Sequence, residues 1–290
     1  MKKRIMFALL AVLFLFPACG TMHVANPPVE NKFVLLASTI GPIDAGIVGA
    51  LEDGFEKETG IRVRHVGAGT AAALKMGKSG QFDLCLAHAK ALEEQFIQEG
   101  FGTERIPLMY NDFVIMGPAA DPAGIKGMKT AAQALKTIAA QKATFITRGD
   151  RSGTNMSELG LWKGAGIQPA GSWYVKYEQG TAGNMATLRY TDKKQAYTVI
   201  DRATYLALKK EITLDILVEK DEAMLNFMSL IPVNSAKFPK VNREGAMKFI
   251  GWMTAADKGQ IVIRDFGKDK YGEPMFFPNS REWHQTQKNK

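Results

Sequence analysis

Two cysteines in a 290-residue chain exclude a disulfide framework. Cys19 lies near the N-terminus, and Cys85 sits in the apolar run Phe82-Asp83-Leu84-Cys85-Leu86-Ala87, where a buried thiol is expected. The folded domain must be held by its core alone. Histidine is scarce too: none of His23, His65, His88 and His284 has a carboxylate or cysteine at ligand spacing, so no metal site is expected. Beyond residue 16 no apolar run is long enough to span a bilayer. Basic residues are scattered without an aromatic-basic stripe, which argues against nucleic acid as a partner. Catalytic patterns are equally thin. Ser152 lacks the Gly-x-Ser-x-Gly elbow of a nucleophile and has no evident general base, so an exported serine hydrolase is the weaker alternative and no catalytic residue is expected.

What the chain does have begins at its N-terminus. Met1-Lys2-Lys3-Arg4 is basic, and Ile5 to Phe16 is apolar but only about 12 residues long, short for a membrane span. Residues 1–18 read as an export signal and 19–31, with Asn26-Pro27-Pro28, as a tether. Ala18-Cys19-Gly20 resembles a bacterial lipobox, which implies lipidation at Cys19 and a membrane anchor; ordinary cleavage after Gly20 or Ala25 is the alternative. Either way the domain is expected in the periplasm. Without Lys2, Lys3 and Arg4 the formal charge falls from +8 to +5, a balance suited to an anionic ligand.

Strand-like and helix-like segments alternate. Residues 32–37, 61–66 and 82–86 read as strands, separated by helices over 45–59 and from 70 to 76, with Asp44 as a candidate cap of the first. Such an order implies an α/β fold whose ligands sit at strand C-termini. Residues 109–118 read as a long extended segment entering a second α/β unit. Lobe 1 is expected over 32–116 and 203–280, lobe 2 over 117–202, and a tail over 281–290. The expected architecture is two-lobed, each lobe a mostly parallel sheet flanked by helices.

Three turns share one chemistry. Ser38-Thr39-Ile40-Gly41 ends the first strand, Gly67-Ala68-Gly69-Thr70 ends the second, and Thr147-Arg148-Gly149-Asp150-Arg151-Ser152-Gly153-Thr154 precedes a helix over 155–165. Each puts hydroxyls and backbone amides where a strand meets a helix N-terminus, and there the helix dipole favours an anion. The candidate ligand-binding residues are therefore Ser38, Thr39 and Thr70 from one lobe and Arg148, Ser152, Gly153 and Thr154 from the other. Taken singly, each hydroxyl is more often an N-cap than a ligand group, and Arg148 reads equally as an ion pair with Asp150. Their concurrence points to a small oxyanion enclosed between lobes. No cofactor is implied.

These turns, together with Met109-Tyr110-Asn111-Asp112-Phe113-Val114-Ile115, Gln179-Gly180, Ala186-Thr187-Leu188 and Ala196 to Tyr205, resemble the tungstate-binding receptors of bacterial tungstate ABC transporters. The likeness runs from about residue 33 to 280. It implies a type II periplasmic-binding-protein fold, a monomer closing on tungstate or molybdate, and an ABC permease as partner. Arg148 matches the arginine that the family aims at the oxyanion. The family's Thr-Thr-Thr-Ser run stands here as Ser38-Thr39-Ile40-Gly41, so two hydroxyls persist and two are gone. That departure leaves another tetrahedral oxyanion, phosphate or sulfate, as the alternative ligand.

Overall fold

The computed structural model describes residues 33–288. The export signal, the tether, Cys19 and His23 lie outside the described residues. Ten strands are found among those described: β1 (Phe33–Thr39), β2 (Arg62–Ala68), β3 (Leu84–Ala87), β4 (Ile106–Pro118), β5 (Phe145–Thr147), β6 (Tyr174–Lys176), β7 (Thr198–Asp201), β8 (Leu214–Val218), β9 (Leu225–Pro232) and β10 (Phe277–Pro278). The main sheet runs β10-β4-β9-β3-β1-β2, and β7 and β8 pair with the far end of β4.

β4 organises the molecule. Its residues 106–112 pair with β9, while Phe113–Met116 pair with β7 and Ile115–Pro118 with β8. The unbroken apolar run Phe113-Val114-Ile115-Met116 is buried throughout, the pattern of a strand covered on both faces. Core packing divides along the same strand. Leu108 and Met109 join a cluster with Leu36, Phe55, Leu84 and Phe249, whereas Phe113 and Ile115 join Phe145, Trp162 and Tyr197. The two largest hydrophobic cores thus meet along one strand, as in a two-lobed protein.

The α/β, two-lobed expectation holds, with one refinement. β1 runs parallel to β2 and β3, and β5 parallel to β6, but β4, β9 and their remaining partners pair antiparallel, so the main sheet is mixed. Strands β8 and β9 have no counterpart in the sequence reading above. Leu217, Val218 and Met224 pack in the second core, whereas Leu214 joins Val114, Met116 and Ile200 in a smaller cluster beside it. The Arg202–Leu208 helix straddles the junction: Ala203 and Leu206 pack in the first core and Leu208 in the smaller cluster with Val114 and Met116. The expected tail is largely helical, Arg281–Lys288. Among the described residues no helix is long and apolar enough to cross a membrane.

Candidate functional site

All three donor-rich turns open into one cavity of about 820 Å³. Thr39, Ile40 and Gly41 line it from the end of β1, Gly69 and Thr70 from the end of β2, and Arg148, Ser152, Gly153 and Thr154 from the second lobe. The parallel register that sets Thr39 beside Ala68 brings the first two turns together.

Thr39 is the N-cap of a short helix, Ile40–Asp44, yet its side chain makes no capping bond. It is 1% exposed, and its Oγ1 is the sole buried side-chain polar atom without a hydrogen-bond partner among the described residues. An unpaired buried hydroxyl costs roughly 1–3 kcal/mol, a cost that an acceptor entering the cavity would offset. Ser38 behaves otherwise. It is fully buried, donates its hydroxyl to the Thr39 carbonyl oxygen at 3.0 Å, and does not line the cavity. Alternation along β1 turns it to the opposite face from Thr39. Asp44 does not cap the following helix: Gly46, at φ 89°, occupies that position before Ile47–Thr59. The Thr70–Gly77 helix starts after Gly69 without a side-chain cap, so its first-turn N–H groups have no acceptor within the helix.

The second-lobe turn is built with more polar support. Gly149 and Arg151 adopt left-handed φ values of 60° and 61°, which fold the backbone tightly between β5 and the Gly153–Gly164 helix. Asn155 Oδ1 accepts the Arg151 N–H at 3.0 Å, and Ser152 Oγ caps the helix by accepting the Asn155 N–H. Arg148 is 12% exposed and pairs with Asp150 at 2.6 Å. Its other guanidinium groups donate to Asn184 Oδ1 and to the Gly180 carbonyl. Burial raises the Asp150 pKa, but donors from Ser152 and the Arg148 charge outweigh it and hold the carboxyl below its ordinary value. Asn184 also donates to Thr154 Oγ1 at 3.0 Å and to Asp201 Oδ2 at 2.5 Å. Beneath them Glu158, 3% exposed, accepts from Thr147, Asn155, Trp162 and Tyr174. Burial raises its pKa against those four donors. Ser152 is thus occupied as a cap, and among the described residues no hydrogen bond joins it to a histidine.

A scan against family models matches residues 26–257 to the PBP superfamily domain. The tungstate-binding protein TupA of Peptoclostridium acidaminophilum is 42% identical over 96% of this chain and 99% of its own length. The chain belongs to the PBP superfamily and groups there with the TupA proteins. Among solved structures, the tungstate-binding protein TupA of Desulfovibrio alaskensis G20 superposes with a TM-score of 0.79 at 43% identity, covering 86% of this chain and 99% of that one. A Geobacter sulfurreducens structure described as a tungstate ABC transporter gives 0.70 at 42% identity, covering 81% and 98%.

Sequence reading missed several residues of this superfamily member's cavity. Thr181, Gly183 and Asn184 form a fourth loop-to-helix turn before Asn184–Lys194. Its signal was a hydroxyl and a glycine ahead of a helix, the pattern used elsewhere, but here a 3-10 turn, Gly180–Ala182, precedes the helix instead of a strand. His88, Asn111 and Asn226 also line the cavity, from β3's end, β4 and β9. Only the pairing of β9 with β3 and β4 brings these three together.

Proposed function

We propose that this protein is a periplasmic, non-enzymatic receptor that binds a tetrahedral oxyanion, tungstate first and molybdate second, and hands it to an ABC permease. Kinship with tungstate-binding TupA proteins supports the ligand class. The observation that carries the reading at the site is the unpartnered Thr39 hydroxyl in the same cavity as Arg148.

A dianion leaving water needs many donors already in place, since the loss of hydration is large and is offset only by fixed hydrogen bonds. Thr39 and Thr70 hydroxyls and the amides of Ile40 and Gly41 would donate from lobe 1. Backbone N–H groups at Ile40 and Gly41 thereby stand in for the two hydroxyls this chain lacks. Arg148 would supply charge-assisted bonds from lobe 2, with the first-turn amides of Gly153 and Thr154 and the Thr154 hydroxyl. Ser152 shapes the turn, and Ser38 supports the wall from behind. Lobe 1 spans 33–112 and 225–280, lobe 2 spans 113–224, and the protein works as a monomer closing about β4. Cys19 is the lipid attachment point; the mass of the mature N-terminus, with or without acyl chains, decides it.

Calorimetric titration of the mature domain tests the ligand. Tungstate and molybdate are expected to bind with measurable heat and to outcompete sulfate and phosphate. A flat titration with all four ions would remove the receptor reading.

A further inference from the structure

We propose that His88 is a proton-taking ligand of this site: as the dianion enters, Nε2 acquires a proton from solvent and donates it back as a charged hydrogen bond. This deepens the receptor reading and rests on it. The proton moves from bulk water or buffer to the imidazole nitrogen, and no bond of the oxyanion is broken.

Geometry fixes which nitrogen is available. His88 follows β3, and its Nδ1 lies 2.9 Å from Asn226 Oδ1. Asn226 in turn donates its Nδ2 to Asn111 Oδ1 at 2.8 Å, which orients its oxygen toward the ring. The Nδ1 position therefore carries the hydrogen, and Nε2 of the neutral ring is a bare lone pair. No protein group is hydrogen-bonded to Nε2 among the described residues. The ring lies against Gly153: a Cβ added there would stand 2.8 Å from Cε1 and 3.2 Å from Nε2. His88 thus meets the donor turn of the opposite lobe at the point where the anion is expected.

Charge balance supplies the reason. The buried cation on the cavity wall, Arg148, is already paired with Asp150. Asp44 and Asp201 line the same space, and Lys270 is exposed at its margin. A dianion entering this setting meets no uncommitted buried cation among the described lining residues. Burial holds the His88 pKa below its ordinary value, against smaller opposing effects of Asn226 and Glu93, so the ring is neutral before binding. Of the charged groups packed near it, Glu93 on the Lys90–Gln98 helix is bound to Arg105 at 2.6 Å. β4 and β9 present the uncharged Asn111 and Asn226 amides, Asp112 being turned to Arg202. Across the cavity stands Arg148, with Asp150 paired to it. An anion within about 4–6 Å favours the imidazolium, so the bound-state pKa rises.

Linkage fixes the sign. With the bound-state pKa above the free one, binding is strongest below the free value and weakens as pH rises through the bound value, by up to about tenfold per pH unit. Tungstate titrations from pH 6.5 to 8.5, in buffers of different ionisation enthalpy, read proton uptake directly. Wild-type protein is expected to take up close to one proton per ion near neutrality, and His88→Gln none, with its affinity flat across that range. Tungstate binding without uptake, or with equal uptake in the variant, overturns the inference and leaves the receptor reading standing. Absence of binding by tungstate and molybdate takes down both. Should the variant fail to fold, nitrogen-15 NMR of the wild-type His88 ring decides: Nε2 must change from unprotonated to protonated when tungstate is added, and an unchanged signal refutes the proposal.

Discussion

Thr39 and Ser38 are neighbours with one chemistry and opposite assignments. Thr39 leaves its hydroxyl unpaired on the cavity wall, while Ser38 spends its own on a backbone carbonyl. Replacing Thr39 by valine removes an unsatisfied polar atom and keeps the volume. The ligand-free T39V protein is expected to be at least as stable as wild type in thermal melts. Its tungstate affinity should fall about tenfold or more, the loss of one charge-assisted bond of roughly 1.5–3 kcal/mol. Ser38→Ala, measured by the same two assays, should leave affinity within about twofold. Equal affinities for T39V and wild type would take Thr39 out of the ligand set. Cys85 illustrates a residue whose chemistry is silenced by place: fully buried, its thiol is pushed up to about 12 and stays protonated. Thiol reagents should label Cys85 only after the domain is unfolded.

At the scale of elements, the Arg148–Thr154 turn depends on the helix that follows it. Glu158 gathers Thr147 at 2.5 Å, Tyr174 at 2.7 Å, Trp162 at 3.0 Å and Asn155 at 3.2 Å, and Asn155 in turn steadies the left-handed Arg151. Glu158→Ala strands several buried donors and should cost about 3 kcal/mol or more in urea denaturation. Tungstate affinity should fall with it, because the turn loses its anchor. Burial raises the Glu158 pKa from its ordinary 4.5, so the folded state holds that proton more tightly. The resulting stabilisation is whole below 4.5 and is lost as pH rises through the folded value. Glu158→Gln should flatten this part of the pH–stability profile above 4.5; an unaltered profile would mean that Glu158 titrates as it does in the unfolded chain.

For the whole molecule, β4 joins two cores, and the cavity lies at the junction they share. Arg202 fastens that junction by donating to Asp112 at 2.6–3.0 Å and to Glu219 at 2.7 Å. An anion that recruits donors from both lobes binds the closed arrangement more tightly than an open one and shifts the population toward it. Small-angle scattering should show a smaller radius of gyration with tungstate than without. At 100 times Kd the ligand should add about 2.7 kcal/mol of stability, seen as a rise in Tm. A bound protein with an unchanged scattering curve would argue against hinge closure.

The sequence by itself determined the local chemistry. Strand-to-helix turns rich in hydroxyl and glycine were legible at Ser38–Gly41, Gly67–Thr70 and 147–154, because caps, turns and amphipathic periods are short-range properties. Resemblance to a known family added the ligand class and the expectation that Arg148 faces the ligand. Tertiary structure alone decided which of those groups face one another. Whether Ser38 or Thr39 looks inward follows from the pleat of β1, and the company of His88, Asn111 and Asn226 follows from β9 returning between β3 and β4. Residues more than a hundred positions apart are brought together by sheet pairing and core burial, which no local window of residues encodes.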